Sequence, residues 1–549
     1  MPKILSRSRR GVSFLTALFF LATNLYFPHS GSSQIEVKPS KFEPSGFTFP
    51  QELGMIDELS GASARGKKTV LLLQDAHTNS DAQRSIEKIL KHLSEHYQYQ
   101  TVALEGGRGG MDALLFRSFP QTSVLRAQID GYLERGEISG ATASAIFNPQ
   151  PLQFVGIEDL GLYQREIDAF LKGISSQEPV LQAVEKEESK LEGQKAQFYS
   201  PELLSLDQKI SALESEGLLL IEILQEASRW KEPVQFPLVQ VLLSESKFEK
   251  AGDLLRIRKQ IKLLSKRVYK FLNADDRKWI SAQQQAYQTQ QIDVSEYLHA
   301  LVSISQKRKI KIQIPKELLE ISKNRSLFKR LKAKNFLKEF NEFVWEVEQF
   351  LADTPEAKAT LQKSKNLELL KKLISFELTP DEWVALLPSE FQRMGISLPE
   401  NQMEFYRTAQ ARDNVFHQNL VKLLQKDDGD FVVFVGGGFH ARGLAARLAA
   451  DGIPYAVISP RIRTVPDNSR YFDIMQGKVS WSSHFKIQKG QIDLFESFNE
   501  ALSEELAQKT GPQSLKPWRD KLIRALAAQG RTAEASDYTR FIDRLSLQN

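Results

Sequence analysis

Residues 430–459 read DFVVFVGGGFHARGLAARLAADGIPYAVIS. The run Phe431–Val435 is apolar with no alternation, which suits a strand buried on both faces. Three glycines follow, then a helix-compatible stretch, then a second apolar run, Tyr455–Ser459. A strand, a glycine turn, a helix and a strand in that order predict adjacent parallel strands with a helix packed across them. Much earlier the same grammar recurs. TVLLLQ (69–74) is an apolar run followed by a helical pattern. Ser80 with Gln83 has the spacing of a capping box, and Ile86, Ile89, Leu90 and Leu93 form an apolar face. TVALE (101–105) precedes Gly106, Gly107, Gly109 and Gly110, and LQFVGIE (152–158) reads as a further strand. The expected fold class is therefore α/β, a mostly parallel sheet flanked by helices.

In such sheets ligands bind at the carboxyl ends of the strands. The predicted strands deliver His77 with Asp75, then Glu105, then Glu158 with Asp159, then Gly437, Gly438 and His440 to one rim. Only eight histidines exist in the chain, so two at equivalent strand ends argue for a shared site. The helical pattern at about 402–425 adds Arg412 on the same stripe as Phe405, Ala409, Phe416 and Leu420. A buried guanidinium is costly without carboxylate partners, and Glu105 and Glu158 are the expected ones. The imidazole and carboxylate set His77, Glu105, Glu158 and His440 suits Mn, Co or Zn. Without metal, His77, Glu105, Arg412 and His440 could serve as base, acid and oxyanion clamp. Gly437 and Gly438 are the candidates for close approach to a cofactor. Gly436-x-Gly438-x-x-Ala441 fits a dinucleotide fingerprint, but the next strand ends without the acidic residue that would hold a ribose.

The chain has 549 residues, no cysteine and a net charge of +5. Zero cysteine excludes disulfides, thiolate metal sites and a lipidated cysteine anchor. Four of the five net charges come from Lys3, Arg7, Arg9 and Arg10. The remainder is near neutral, which argues against a nucleic-acid binder. Those cations precede the apolar stretch 11–27 and the small residues Ser30–Ser33. That is the order of a secretory signal, or of an uncleaved anchor, and predicts export to the periplasm or beyond. Membrane association is expected only through this segment. The organisation read from the chain is a signal at 1–33, a proline-punctuated linker at 34–66 and a first α/β part at 67–162. A helical insertion follows at 163–399, then a second α/β part at 400–480 and a helical tail at 481–549. The insertion is rich in Leu, Lys, Glu and Gln, and is the expected surface for a protein partner.

The motifs resemble those of a known group. GGFHARGL (437–444) is similar to the G-x-x-H-x-x-G-[IL] element of the TraB/Tiki group, within a superfamily that includes erythromycin esterases and ChaN-type haem-uptake proteins. ARDNVFHQNL (411–420) resembles that group's arginine helix, LLLQDAH (71–77) stands at its first G-x-x-H, VALEGG (102–107) at its glutamate and VGIEDL (155–160) at its Gly-x-Glu element. Gln74 stands where the group has glycine. Tiki proteins are regarded as metal-dependent proteases, erythromycin esterases as hydrolases with a histidine base, and ChaN as a haem binder. The resemblance thus implies an exported hydrolase acting on a peptide, ester or small molecule, with a divalent metal or none. Haem or small-ligand binding without turnover, and an envelope scaffold with a relic site, are the alternatives it leaves open.

Overall fold

The computed structural model describes residues 47, 50, 52–60, 68–150, 152–216, 220–246, 251–288, 294–315, 318–319, 333–393, 396–462, 478–488 and 491–545. The signal segment and most of the stretch read as a linker lie outside the described residues. Among the described residues, no helix is long and apolar enough to cross a membrane.

The elements that build the site are β1 (Gly54–Ser60), β2 (Thr69–Asp75), α1 (Ser80–His96), β3 (Thr101–Leu104), β4 (Arg108–Met111) and β5 (Gln153–Ile157). They continue with α2 (Leu160–Phe198), α3 (Glu400–Lys426), β6 (Phe431–Gly437), α4 (Gly438–Ala450) and β7 (Tyr455–Pro460). The seven strands form one sheet in the order β1-β7-β2-β6-β3-β5-β4. The five inner strands run parallel, while β1 and β4 pair antiparallel at the two edges. The sheet is therefore mixed. The two edge strands are additions to the sequence reading: β1 lies inside the stretch read as a linker, and β4 is the glycine turn after Glu105.

Alternation along each inner strand assigns its side chains to two cores. Leu71, Leu73, Val102, Val433, Val435 and Ile458 face α1 and the C-terminal helices, among Ile86, Leu90, Trp518 and Leu522. Val70, Leu72, Ala103, Val432, Phe434 and Val457 face α3 and α4, among Phe416, Leu420, Leu444 and Leu448. Burial on both faces is why these strands read as unbroken apolar runs.

The chain divides into two compact units, one holding residues 183–368 and the other residues 35–182 with 369–549. The first is helical and has its own apolar clusters, one around Leu203, Leu224, Phe343 and Val347 and another around Leu264, Val268, Leu298 and Leu301. The second contains the whole sheet. The helical stretch read as 163–399 is thus wider than the helical unit. The first turns of α2, with Tyr163 and Glu166, belong to the unit that carries the sheet.

One close approach at the sheet edge can be tested. A Cβ on Gly156 of β5 would lie 2.1 Å from the carbonyl carbon of Gly107 and 2.5 Å from the Arg108 nitrogen. A Cβ on Gly110, in β4, would meet nothing within 4 Å. Gly156→Ala should cost about 1–3 kcal/mol through overpacking, and Gly110→Ala should cost far less. Urea denaturation of the two variants side by side checks this; equal stabilities would contradict the edge packing.

Candidate functional site

The strand order turns a dispersed set of residues into a contiguous one. β6 returns between β2 and β3, so the ends of β2, β6, β3 and β5 lie side by side. They carry His77, Gly437 with His440, Glu105 and Glu158 in that spatial order. The backbone N–H of Glu105 donates to Val435 O at 3.1 Å, and Asp75 sits in register with Gly437. A Cβ on Gly437 would lie 3.5 Å from His77 Nε2 and 3.9 Å from His440 Cδ2. The sum of those two distances, about 7.4 Å, is an upper bound on the separation of the two rings at these atoms.

At the centre lies Arg412 of α3, 1% exposed. Nε and Nη2 donate to Glu158 Oε1 and Oε2 at 3.1 and 2.6 Å. Nη2 also donates to Glu105 Oε1 at 2.9 Å. Nη1 donates to Glu166 Oε1 at 2.9 Å and to His440 Nε2 at 3.1 Å. These five contacts match the five N–H donors of a guanidinium. The expected pairing with Glu105 and Glu158 is present, and it has a consequence. Arg412 has no donor left for a substrate carboxylate or oxyanion, so in this arrangement it positions the site from behind. Tyr163 and Phe416 flank it, with ring centroids 5.0 and 5.3 Å from the guanidinium carbon.

Glu158 is equally committed. Besides Arg412, its oxygens accept the backbone N–H groups of Gly106 and Asp159, each at 3.1 Å. Asp159 caps α2 instead of joining the site, accepting from the N–H groups of Gly161 and Leu162. Glu105 divides its two oxygens. Oε1 faces Arg412 and lies 3.5 Å from His440 Nε2. Oε2 accepts the Gly437 N–H at 2.6 Å and stands 3.9 Å from His77 Nε2. Burial alone would raise the Glu105 pKa, but His440, Arg412, His77 and the Gly437 N–H together hold it well below the usual carboxylate range.

The two histidines differ. His440 is buried, with Nδ1 2.7 Å from Asp413 Oδ1 and Nε2 taking the Arg412 N–H. Arginine only donates, so that contact requires a bare Nε2 and places the proton on Nδ1. Burial and Arg412 oppose the imidazolium while Glu105 and Asp413 favour it and raise the ring's pKa, but a proton on Nε2 would break the Arg412 contact, so the hydrogen-bond geometry describes the neutral ring. His77 instead keeps 43% of its side chain exposed. Its Nδ1 lies 3.0 Å from Asp75 Oδ2. Desolvation pulls its pKa down, but Asp75 and then Glu105 raise it to about 9. Asp75 is itself held by Gln83 Nε2 at 2.6 Å, and Gln83 Oε1 accepts the Gly140 N–H at 2.7 Å. Gln83 therefore does not close a capping box. Asn79 is the N-cap of α1, accepting from the Ala82 N–H. The residue after His77, Thr78, has φ +68°, a left-handed conformation that is uncommon for a β-branched residue and fits a constrained turn.

Sequence reasoning missed Asp413, Glu166 and Tyr163. Asp413 follows Arg412 directly and is 2% exposed; adjacency to the arginine is the one signal that could have found it. Glu166 is 8% exposed, its Oε2 has no hydrogen-bond partner, and burial raises its pKa.

Among the described residues, no three histidine or acidic side chains converge as metal ligands. The donor set explains this. Arg412 occupies the centre of the carboxylates, both Glu158 oxygens are taken, and His440 Nε2 is turned to the guanidinium. In this arrangement His77 Nε2 and Glu105 Oε2 are the donor atoms that face each other, across 3.9 Å. At the glycine turn, a Cβ on Gly438 would meet Gln74 Oε1 at 3.6 Å. A Cβ on Gly436 would lie 2.4 Å from the Phe434 ring and 2.9 Å from Glu105 Oε2. Gly437 faces Glu105 and His77; the glycine turn makes room for the protein's own side chains.

Compared with protein-family models, curated proteins and solved structures, the chain has no match.

Two outcomes follow from this geometry. Arg412→Met removes the guanidinium shared by Glu105 and the buried Glu158 and Glu166 and should cost about 3–5 kcal/mol, the range for breaking a buried ion pair; the urea midpoint reports it, and an unchanged midpoint would contradict the clamp. Dialysis against EDTA should leave the melting temperature unchanged, and added Mn, Co or Zn should not raise it. A metal found near stoichiometry by elemental analysis, and lost on chelation with a fall in stability, would overturn that account.

Proposed function

We propose that this chain is an exported hydrolase, resembling Tiki and erythromycin-esterase enzymes, that adds water to an amide or ester carbonyl with His77 as the proton-transferring group. The observation that carries the reading is the arrangement Asp75–His77–Glu105. A half-exposed imidazole is held at Nδ1 by a buried carboxylate, while its Nε2 looks toward a second carboxylate across 3.9 Å. Asp75 fixes the tautomer, leaving Nε2 as the basic atom once the ring is neutral. Water beside Nε2 would give that nitrogen a proton as its oxygen attacks the carbonyl carbon. Glu105 Oε2 would accept the second O–H and orient the attack. The proton on His77 would then pass to the departing amine or alkoxide.

Negative charge forms on the carbonyl oxygen during this step. The first turn of α4 supplies donors for it. Gly437, the N-cap, makes no side-chain cap to the helix, and the first N–H groups of any helix lack intrahelical partners. The N–H groups of Gly438 and Phe439 are thus the candidate oxyanion donors, with the positive end of the helix dipole behind them.

The ionisation of the site sets the pH behaviour. His77 is protonated below about 9, so the basic form grows as pH rises. Turnover by a His77 base should climb from neutral pH toward about 9. Asp75→Asn removes the charge that raises this pKa, so its rising limb should move to lower pH.

The deciding experiment screens the purified protein against chromogenic esters, lactones and short peptides, beside His77→Ala and Glu105→Gln. A real hydrolase should lose about 10²–10⁴-fold on removal of its base, with the variants still folded by circular dichroism. Turnover indifferent to His77→Ala, or no turnover in any class together with a haem absorbance band lost in His440→Ala, would sink the reading.

A further inference from the structure

Two consecutive residues of α3 grip the two ring nitrogens of His440. Arg412 Nη1 reaches Nε2 at 3.1 Å, and Asp413 Oδ1 reaches Nδ1 at 2.7 Å. The ring also stands at 5.2 Å from Phe416 and 5.9 Å from Phe439, centroid to centroid, edge to face with each. His440 is therefore held at every polar atom and packed on two aromatic neighbours. It has no free nitrogen for a substrate, although it occupies the strand-end position equivalent to that of His77.

What His440 holds is Arg412, and through it Glu105: the guanidinium whose Nη1 donates to His440 Nε2 donates from Nη2 to Glu105 Oε1 at 2.9 Å. Fixing Oε1 fixes where Oε2 points, and Oε2 faces His77. Asp413 is in turn confined by α4. A Cβ on Gly443 would lie 1.9 Å from Asp413 Oδ2, and Arg447 Nη1 lies 3.5 Å from the same oxygen. A glycine at that position of α4 leaves the carboxylate the space it occupies against His440.

We propose that Asp413 is a positioning residue: through His440 and then Arg412 it sets the Glu105 carboxylate in front of His77, with Gly443 keeping Asp413 in place. The proposal rests on the hydrolase reading for its kinetic part and on geometry alone for the clamp. Asp413→Asn offers His440 an amide whose nitrogen can only donate, so it weakens the preference for the proton on Nδ1. Gly443→Ala disturbs the same carboxylate from the opposite side without altering its chemistry.

The test has two arms. The first measures the ¹⁵N shifts of selectively labelled histidines, with His440→Gln to assign the resonance. Wild type should carry its His440 proton on Nδ1, and both Asp413→Asn and Gly443→Ala should change that signature. The second measures turnover of whichever ester or peptide the screen identifies. Each variant should lower kcat about 100-fold, the scale for misplacing a reacting group by about 1 Å, with KM little changed. Combined with Glu105→Gln, neither should lower kcat further, because the clamp acts through that carboxylate. Additive losses, a KM effect alone, or an unchanged His440 signature in both variants would overturn the proposal. If Asp413→Asn does not fold, Gly443→Ala carries both arms. If no substrate turns over in wild type, the hydrolase reading falls and the ¹⁵N arm judges the clamp by itself.

Discussion

The site depends on one buried guanidinium. Removing an arginine and several carboxylates from water costs several kcal/mol per ion, and only near-complete hydrogen bonding compensates for it. Arg412 meets that condition with contacts to Glu105, Glu158, Glu166 and His440. Those partners come from the ends of β3 and β5, the first turns of α2 and the start of α4. The arginine thus fixes four elements at one point. It also answers the charge problem that three clustered carboxylates create. Glu105 stays ionised against Arg412 and the histidines, whereas burial pushes Glu166 toward its neutral form. A cation is present in the centre of the cluster, and it belongs to the protein.

The two histidines show how environment separates residues that topology makes equivalent. Both follow an inner strand, both are paired with an aspartate, and both face Glu105. His440 lies beneath the aromatic rings of Phe416 and Phe439, and its Nε2 is taken by Arg412. His77 has neither cover, and among the described residues no N–H group donates to its Nε2. Its raised pKa comes from Asp75 and Glu105 acting against desolvation. A group that touches water and changes protonation within an accessible pH range is suited to move protons. One locked between two side chains is suited to hold others still.

How much of this was legible follows from the physics of each part. The inner strands were, because burial on two faces leaves continuous apolar runs such as Phe431–Val435. Strand ends could then be read as a rim, and His77, Glu105, Glu158 and His440 do meet there. The edge strands were not: β4 is the glycine-rich RGGM, and β1 lies in a stretch marked by prolines. Neither carries an apolar run to give it away. Glu166 and Tyr163 were hidden because α2 has one continuous helical pattern, and nothing in it marks where packing on the sheet ends. Gln83 was misread for a similar reason. Its spacing from Ser80 fits a cap, but its carboxamide bridges Asp75 and Gly140, a contact 57 residues away in sequence. Local pattern reveals what a residue does for its own element, and it is silent on long-range hydrogen bonds.

The long insertion raises a last question of closure. β5 and β6 share a sheet but are separated by more than 270 residues of chain. The entropic cost of closing such a loop grows only slowly with its length, so the expense lies in fixing its two ends. The stretch that leaves β5 and the stretch that returns to β6 are tied to each other near those ends. Glu166 of α2 bonds Arg412 of α3, and Gln402 Nε2 of α3 donates to Gly173 O of α2 at 3.1 Å. Phe170 and Phe405 pack at 6.0 Å beside them. The charge cluster that organises the rim therefore also closes the base of the insertion. The helix that brings Arg412 to the strand ends can be reached only after the whole insertion has been made, and the site is assembled by the same contacts that bring the chain back to its sheet.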